Sequence, residues 1–462
     1  MSIDAAGRSF EDLSEEQLAK PFLRVAIPNA TDHSVAAMRS LFSGHDREAL
    51  RDRGTAIRNE VLADLDGAIE RLTDACQANG VIVHHATDAA AAREIVRTII
   101  RDAGARTVVK SKSMLTEEIE LNPALEADGV RVLETDLGEY LIQVDGDRPS
   151  HIIGPAVHLT REQVRQSLSR VAGRELPPEP EELMAWARGE LRESFFAADV
   201  GITGANFGVA ETGTVVLVSN EGNARMTTTL PRVHVALMGI ERVVPRLDDL
   251  AVLLPLLTGH GTGQRISCYV TLIDGPRRAH EHDGPEEQHL VLVDNGRRAI
   301  ASSEYADVLR CIRCGACQNI CPVYRQVGGH AYNWVYGGPI GAVLTPLMRD
   351  DPPSTELAHA STLCAACDDI CPVRIPLHDL LSRLRHRRAV DGQAPFRERL
   401  AFELWSRGWS HPRLYRLSGR IGRVALLPLS SGGRLRRVAG PLGRWTAGRS
   451  LPLPNRKPFH RR

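Results

Sequence analysis

Seven of the nine cysteines fall between residues 311 and 371. Their spacing limits what that stretch can fold into more than any other feature of the chain. "CIRCGACQNICPVY" places Cys311, Cys314, Cys317 and Cys321 in the order Cys-x-x-Cys-x-x-Cys-x-x-x-Cys-Pro. Bacterial ferredoxins use this run to wrap a cubane iron–sulfur cluster, three thiolates on one cluster and the fourth on a second. Close spacing also lets loop N–H groups point at sulfur and stabilise an added electron. Zinc takes four thiolates as well, but its structural sites use paired Cys-x-x-Cys knuckles, not three in a row with a fourth before proline.

A second motif, "STLCAACDDICPV", supplies Cys364, Cys367 and Cys371, with Ser361 where a first cysteine would stand. In two-cluster ferredoxins the last cysteine of each run ligates the other run's cluster. Applied here, cluster one takes Cys311, Cys314, Cys317 and Cys371. Cluster two takes Cys321, Cys364 and Cys367 and is one thiolate short. It is then a [3Fe-4S] cluster, or a [4Fe-4S] cluster whose odd iron is held by Ser361, water, a partner's side chain or an outside cysteine. Serine is a poor ligand until deprotonated. Cys76 and Cys268 read as buried apolar residues with no further role. The intervening "RQVGGHAYNWVYGGPIGAVLTPLM" offers glycines for close backbone approach and aromatic bulk to screen a cluster. His330 reads as a hydrogen-bonded loop residue.

The 462-residue chain as a whole has an ordinary soluble composition, 43% hydrophobic and 25% charged. The first residues show no basic-then-apolar signal pattern, and no apolar run approaches the roughly 18–20 residues of a spanning helix. With the clustered cysteines, this points to a reducing, cytoplasmic setting. Residues 1–300 alternate helical stretches (34–76, "DAAAAREIVRTIIRDAG", "REQVRQSL", "ELMAWARGELRESFFAAD") with short Val/Ile/Leu runs ("VIVHHA", "RTVVKSKS", "VRVLETD", "HIIGPAV", "TVVLVSN", "RVHVALMG", "SCYVTLI", "HLVLVDNG"). Such runs between helices predict a buried, largely parallel α/β sheet. The expected domains are 1–300, an α/β domain with N-terminal helices; 301–385, the two-cluster domain; and 386–462, an Arg-rich region.

Zero net charge hides an asymmetry, because residues 381–462 carry 20 Lys and Arg against 3 Asp and Glu. Leu414, Leu417, Ile421 and Val424 recur at helical spacing beside Arg413, Arg416, Arg420 and Arg423. A basic amphipathic helix of this kind suits a membrane surface or an acidic partner; folding back on the protein's own body is the plainer reading. Trp405, Trp409 and Trp445 lie in the same region, and "SLPLPNRKPFHRR" reads as an extended, mobile end. Lys110, Ser111 and Lys112 form a basic, hydroxyl-rich strand end suited to an anion, and Glu211 lies in a glycine-rich stretch, "GANFGVAETGTVVLVSNEGNAR". No flavin or nicotinamide fingerprint is present.

The cysteine region with its linker, and in the front half "VVKSKSMLTEEIELNPAL", "ETDLGEYLIQ", "PSHIIGPAVH" and "GITGANFGVAETGTVVLVSNEGNARM", resembles the lactate utilization protein B family over residues 30 to 385. The resemblance implies a front domain of the ribose-5-phosphate isomerase and CoA-transferase fold, then a mostly helical ferredoxin-like domain with two [4Fe-4S] clusters, and a basic helical tail. It implies an electron-transfer subunit in oxidation of L-lactate to pyruvate, non-catalytic by itself. The expected partners are other subunits of that system and an electron acceptor not identifiable from sequence. The basic tail is set against a membrane surface or an acidic partner, which would make the chain peripheral, and no nucleic acid is expected. Competing readings are a relay or catalytic subunit for another 2-hydroxy acid such as glycolate, and a structural cluster-binding module.

Overall fold

In the computed structural model the described residues are 7–349, 351–394, 396–436, 443, 446 and 449–453. Trp445 and the chain end beyond 453 lie outside them. Ten strands position the site: β1 (Ile82–Ala86), β2 (Thr107–Lys110), β3 (Arg131–Glu134), β4 (Val200–Gly204), β5 (Phe207–Val209), β6 (Thr214–Ser219), β7 (Val233–Gly239), β8 (Val243–Val244), β9 (Tyr269–Ile273) and β10 (Glu287–Val293). Six of them form a wholly parallel sheet in the order β1-β10-β7-β4-β2-β3. The "VHVALMG" run of β7 is buried at every residue, as expected of a central strand covered on both faces. β8-β5-β6-β9 make a smaller mixed sheet. Gly213, at φ +72°, turns β5 into β6; a Cβ there would lie 2.6 Å from the Ala75 backbone.

The helical stretch expected at 34–76 is three helices, Leu23–Leu41, Arg47–Ala63 and Leu65–Ala78. Asp46 and Asp64 end the breaks by accepting from the N–H of Ala49 and Gly67. "HIIGPAV" is not a strand; residues 151–157 are bends and turns. His151 Nδ1 accepts the N–H groups of Ile153 (3.1 Å) and Gly154 (3.2 Å) and so satisfies locally what a ladder would have satisfied. His151 Nε2 donates to Asn319 Oδ1 at 3.0 Å, and the Ile152 N–H donates to Gln318 Oε1 at 3.1 Å, which fastens this turn to the first cysteine loop.

The chain gathers into two compact units, Met1–His386 and Arg387–Arg462. One hydrophobic core of the first unit joins the N-terminal helices (Leu13, Ile27, Met38, Ile57) to the cysteine region (Ala316, Cys321, Ile370, Leu381). Beside it lies a buried ion network. Arg297 makes a bidentate pair with Glu118 (2.9 and 2.8 Å) and reaches Glu241 with Nε at 2.7 Å, while the Tyr336 hydroxyl donates to Glu118 at 2.5 Å. Burial works to raise the Glu241 carboxyl, but Arg297 and Arg313 outweigh it and hold it at about 2. In the second unit, Phe396–Trp409 and Pro412–Leu426 are helices, and Leu451–Pro452 pairs with Arg434–Leu435.

Candidate iron–sulfur centre

The two cysteine motifs adopt the same backbone. Arg313 (φ 61°) and Gly315 (φ 74°) in the first correspond to Leu363 (φ 54°) and Ala365 (φ 61°) in the second. Each left-handed pair turns the chain into a five-residue helix, Ala316–Ile320 or Ala366–Ile370, which ends at Cys321 or Cys371 in extended conformation. Non-glycine residues rarely take this conformation, so its recurrence at matching positions marks a loop shape fixed by its purpose.

Cys311, Cys314, Cys317 and Cys371 line one cavity of about 20 Å³, walled by Ile152, Ile312, Ile340 and Val373. Cys321 lies within electrostatic reach of Cys364 and Cys367. Backbone N–H groups approach three of the sulfurs: Arg313 to Cys311 (3.4 Å), Tyr324 to Cys321 (3.5 Å) and Ile375 to Cys371 (3.4 Å). Among the described residues, all nine cysteines included, no three sulfurs lie within 4.8 Å of one another. A tetrahedral zinc with Zn–S near 2.3 Å would bring its sulfurs to about 3.8 Å. Four thiols around one apolar-walled cavity are the donor type that an iron–sulfur cluster takes.

Burial sets the protonation of these thiols. It pushes the Cys371 thiol up to about 11, against opposing N–H groups, and raises Cys314, Cys317, Cys321 and Cys367. Metal loading must displace these protons, which couples cluster binding to pH and to folding.

Ser361 occupies the position of Cys311 in the duplicated loop. The Leu363 N–H donates to Ser361 Oγ at 3.1 Å, as the Arg313 N–H does to Cys311 Sγ. Of the remaining cysteines, Cys76 is buried, donates to Gly213 O at 3.2 Å, and is pushed to about 12 by burial. Cys268 is exposed, which corrects its reading as a core residue; it sits in the open turn before β9. In the linker, Tyr332 and Tyr336 are buried. Gly329 approaches so closely that a Cβ would lie 2.0 Å from Ser150 O. His330 hydrogen-bonds to Arg148 O at 2.7 Å, and burial lowers its pKa to about 4.

The arginines that grip these loops are not among the site residues expected from sequence. Arg51 donates to the carbonyls of Cys371 (2.9 Å) and Asp368 (3.0 Å), and Arg47 to that of Asp369 (3.1 Å). Arg242 donates to those of Cys311 (2.7 Å) and Ile312 (3.2 Å). Arg58, buried, ties Val243 and Glu241 to Leu309. The only available signal was the repetition of Arg47, Arg51 and Arg58 along one helix face.

The four expected anion-binding residues do not come together. Lys110 is buried and paired with Glu134 (2.7 Å) and Glu117 (3.3 Å); burial alone would lower its pKa, but these carboxylates outweigh it and raise it. Ser111 and Lys112 line a separate cavity of about 350 Å³. Glu211 is exposed and accepts the Leu247 N–H at 2.9 Å.

Comparison with known proteins assigns residues 69–293 to the LUD domain, 307–375 to the 4Fe-4S dicluster domain and 383–462 to the lactate utilisation protein B C-terminal domain. Lactate utilization protein B of Bacillus licheniformis is 44% identical over 99% of this chain and 97% of its own length. That of Geobacillus thermodenitrificans is 44% identical over 96% and 94%. A crystallised DUF162 family protein from Deinococcus radiodurans matches 50% of this chain and 98% of its own at 14% identity and a TM-score of 0.29.

Proposed function

Because this chain belongs to the lactate utilization protein B family, we propose that it is the iron–sulfur electron-transfer subunit of a system oxidising L-lactate to pyruvate. Two [4Fe-4S] clusters supply one-electron redox chemistry when bound. Cys311, Cys314, Cys317 and Cys371 would hold the first, and Cys321, Cys364 and Cys367 the second. Ser361 Oγ is the candidate for its odd iron; a [3Fe-4S] second cluster is the variant. The observation that carries this reading is the meeting of Cys371 with the first run around one cavity, since only crossed ligation asks for it. The aliphatic wall of the cavity and the buried Tyr332 limit water at the first centre, while Cys364 is exposed, and the loop N–H groups favour the reduced state.

The functional domains are then 1–300, of the CoA-transferase and ribose-5-phosphate isomerase fold, 301–385 and 386–462. Electrons pass from a partner subunit, through this chain, to an acceptor. Anaerobic purification with iron counting and paramagnetic resonance before and after dithionite tests the reading. About seven to eight irons per chain and a reducible signal are expected. L-lactate should reduce the clusters only when the partner subunits are present. A colourless, zinc-loaded chain would overturn the proposal. Reduction of the isolated chain by lactate would instead make it the catalytic subunit, and clusters that stay oxidised during turnover of the full system would make it structural. Glycolate as the better reductant would shift the substrate within the 2-hydroxy acids.

Among the described residues no helix is long and apolar enough to cross a membrane. We place the chain in the cytoplasm, with the second unit resting on a membrane surface. Leu414, Leu417, Ile421 and Val424 on helix Pro412–Leu426 are 48–68% exposed beside four arginines. Anionic lipid vesicles should retain the full chain at low salt, each basic residue contributing about 1 kcal/mol. Changing Arg413, Arg416, Arg420 and Arg423 to Gln should release it. Failure to bind at low salt would leave an acidic protein surface as the tail's target.

A further inference from the structure

The 350 Å³ cavity lies where the parallel sheet reverses its winding. From β2 the chain moves outward to β3, then returns to the other side of β2 as β4 and continues through β7 to β10. β2 and β4 therefore flank the reversal, and ligands of open parallel sheets sit in the crevice beyond the carboxyl ends of such strands. Ser111, Lys112 and Ser113 follow β2 into this crevice, and Ala205 and Asn206 follow β4. Its far wall carries Arg313, the residue just before Cys314.

Two basic side chains lining the crevice have unspent hydrogen-bonding capacity. Lys112 Nζ makes no hydrogen bond; burial lowers its pKa against the pull of Glu139, 4.0 Å away, and Asp136, so an anion bound beside it would favour its charged form. Arg313 lies over Tyr336 at 4.2 Å and reaches Glu241 at 3.5 Å with one nitrogen, while Nη1 has no partner. Removing a cation from water without a close partner is costly. The other arginines of the wall are committed, Arg297 to Glu118 and Glu241 and Arg242 to carbonyls. Of the acids, Asp136 caps the helix Leu137–Asp145. Glu221 is raised to about 7 by burial and by Asp136, so near neutrality it can donate a hydrogen bond to a ligand oxygen.

We propose that this cavity binds a small carboxylate bearing an oxygen on the adjacent carbon, with Lys112 and Arg313 taking the carboxylate beside the first cysteine loop. The choice of ligand rests on the lactate reading; the anion site rests on the fold. Calorimetric titration of the anaerobically purified, cluster-loaded full chain tests it, using L-lactate, pyruvate, acetate and inorganic phosphate. L-lactate or pyruvate should bind saturably and more tightly than acetate or phosphate. Lys112→Met and Arg313→Gln should each weaken binding at least about ten-fold. Binding should also alter the paramagnetic signal of the reduced chain, and this change should vanish in the variants. If Arg313→Gln fails to load iron, Lys112→Met, remote in sequence from the cysteines, decides alone. Absence of saturable binding, binding that the variants retain, or phosphate binding as tightly as either acid would each overturn the proposal. A chain that relays electrons in the complete system yet binds neither acid would sink this site and leave the relay reading intact.

Discussion

Cys317→Ser should lower the iron content of the anaerobically purified chain from about eight to about four per molecule or fewer, and the protein should melt at a markedly lower temperature. Cys317 is placed among Cys311, Cys314 and Cys371 on the wall of one cavity. Burial holds its thiol strongly protonated until metal binds. The substitution removes a ligand that no neighbour replaces. It also removes the crosslink that Cys371 makes between loops 50 residues apart in sequence, so much of the metal's binding energy that serves as folding energy disappears with it. Limited proteolysis should open the chain between residues 311 and 371. Iron content and resistance like those of the parent would mean that the cysteines do not act as ligands. Ser361→Ala separates the readings of the second centre. If Oγ holds the odd iron, the variant loses iron selectively and its paramagnetic signal changes; if the spectrum is unaltered, the ligand lies elsewhere.

Arg297→Met should destabilise the chain by roughly 3–5 kcal/mol, the loss expected when one partner of a buried ion pair is removed. Arg297 is 2% exposed and neutralises both Glu118 and Glu241, which are also buried. Without it Glu118 keeps the Tyr336 and Asn295 donors and Glu241 the more distant Arg313 and Arg242. Their pKa values must then rise. The penalty should therefore be larger at pH 8, where folding has to keep them charged, than at pH 5, where protonation discharges them. Denaturant titrations at the two pH values read this directly. A loss of under about 1 kcal/mol, or one independent of pH, would show that the network is not electrostatically tight.

The cysteine loops were legible because metal ligation fixes spacing in sequence; Cys-x-x-Cys-x-x-Cys has few other uses. The parallel sheet was legible in the ALM run of β7 and the LVLV run of β10, which have no polar face to expose. "HIIGPAV" has the same apolar content but forms a turn, because the His151 side chain supplies acceptors that periodicity cannot register. Lys110 looked like an anion ligand and is an internal ion-pair partner, since its carboxylates Glu117 and Glu134 arrive from separate elements. Arg51 and Arg242 were invisible as loop clamps for the same reason: nothing in a local window says which carbonyl a distant guanidinium will reach. The exposure of Cys268 was missed because a lone cysteine carries no pattern at all.

Those clamps bear on biogenesis. Arg51 and Arg242 are made before any of the seven cysteines leaves the ribosome, and domains made first tend to fold first. The carbonyls of Cys311 and Cys371 thus emerge to find guanidinium groups already available to receive them. Because these bonds reach carbonyls and not sulfurs, they can anchor the loop backbone to the front of the chain while leaving every thiol available to a metal.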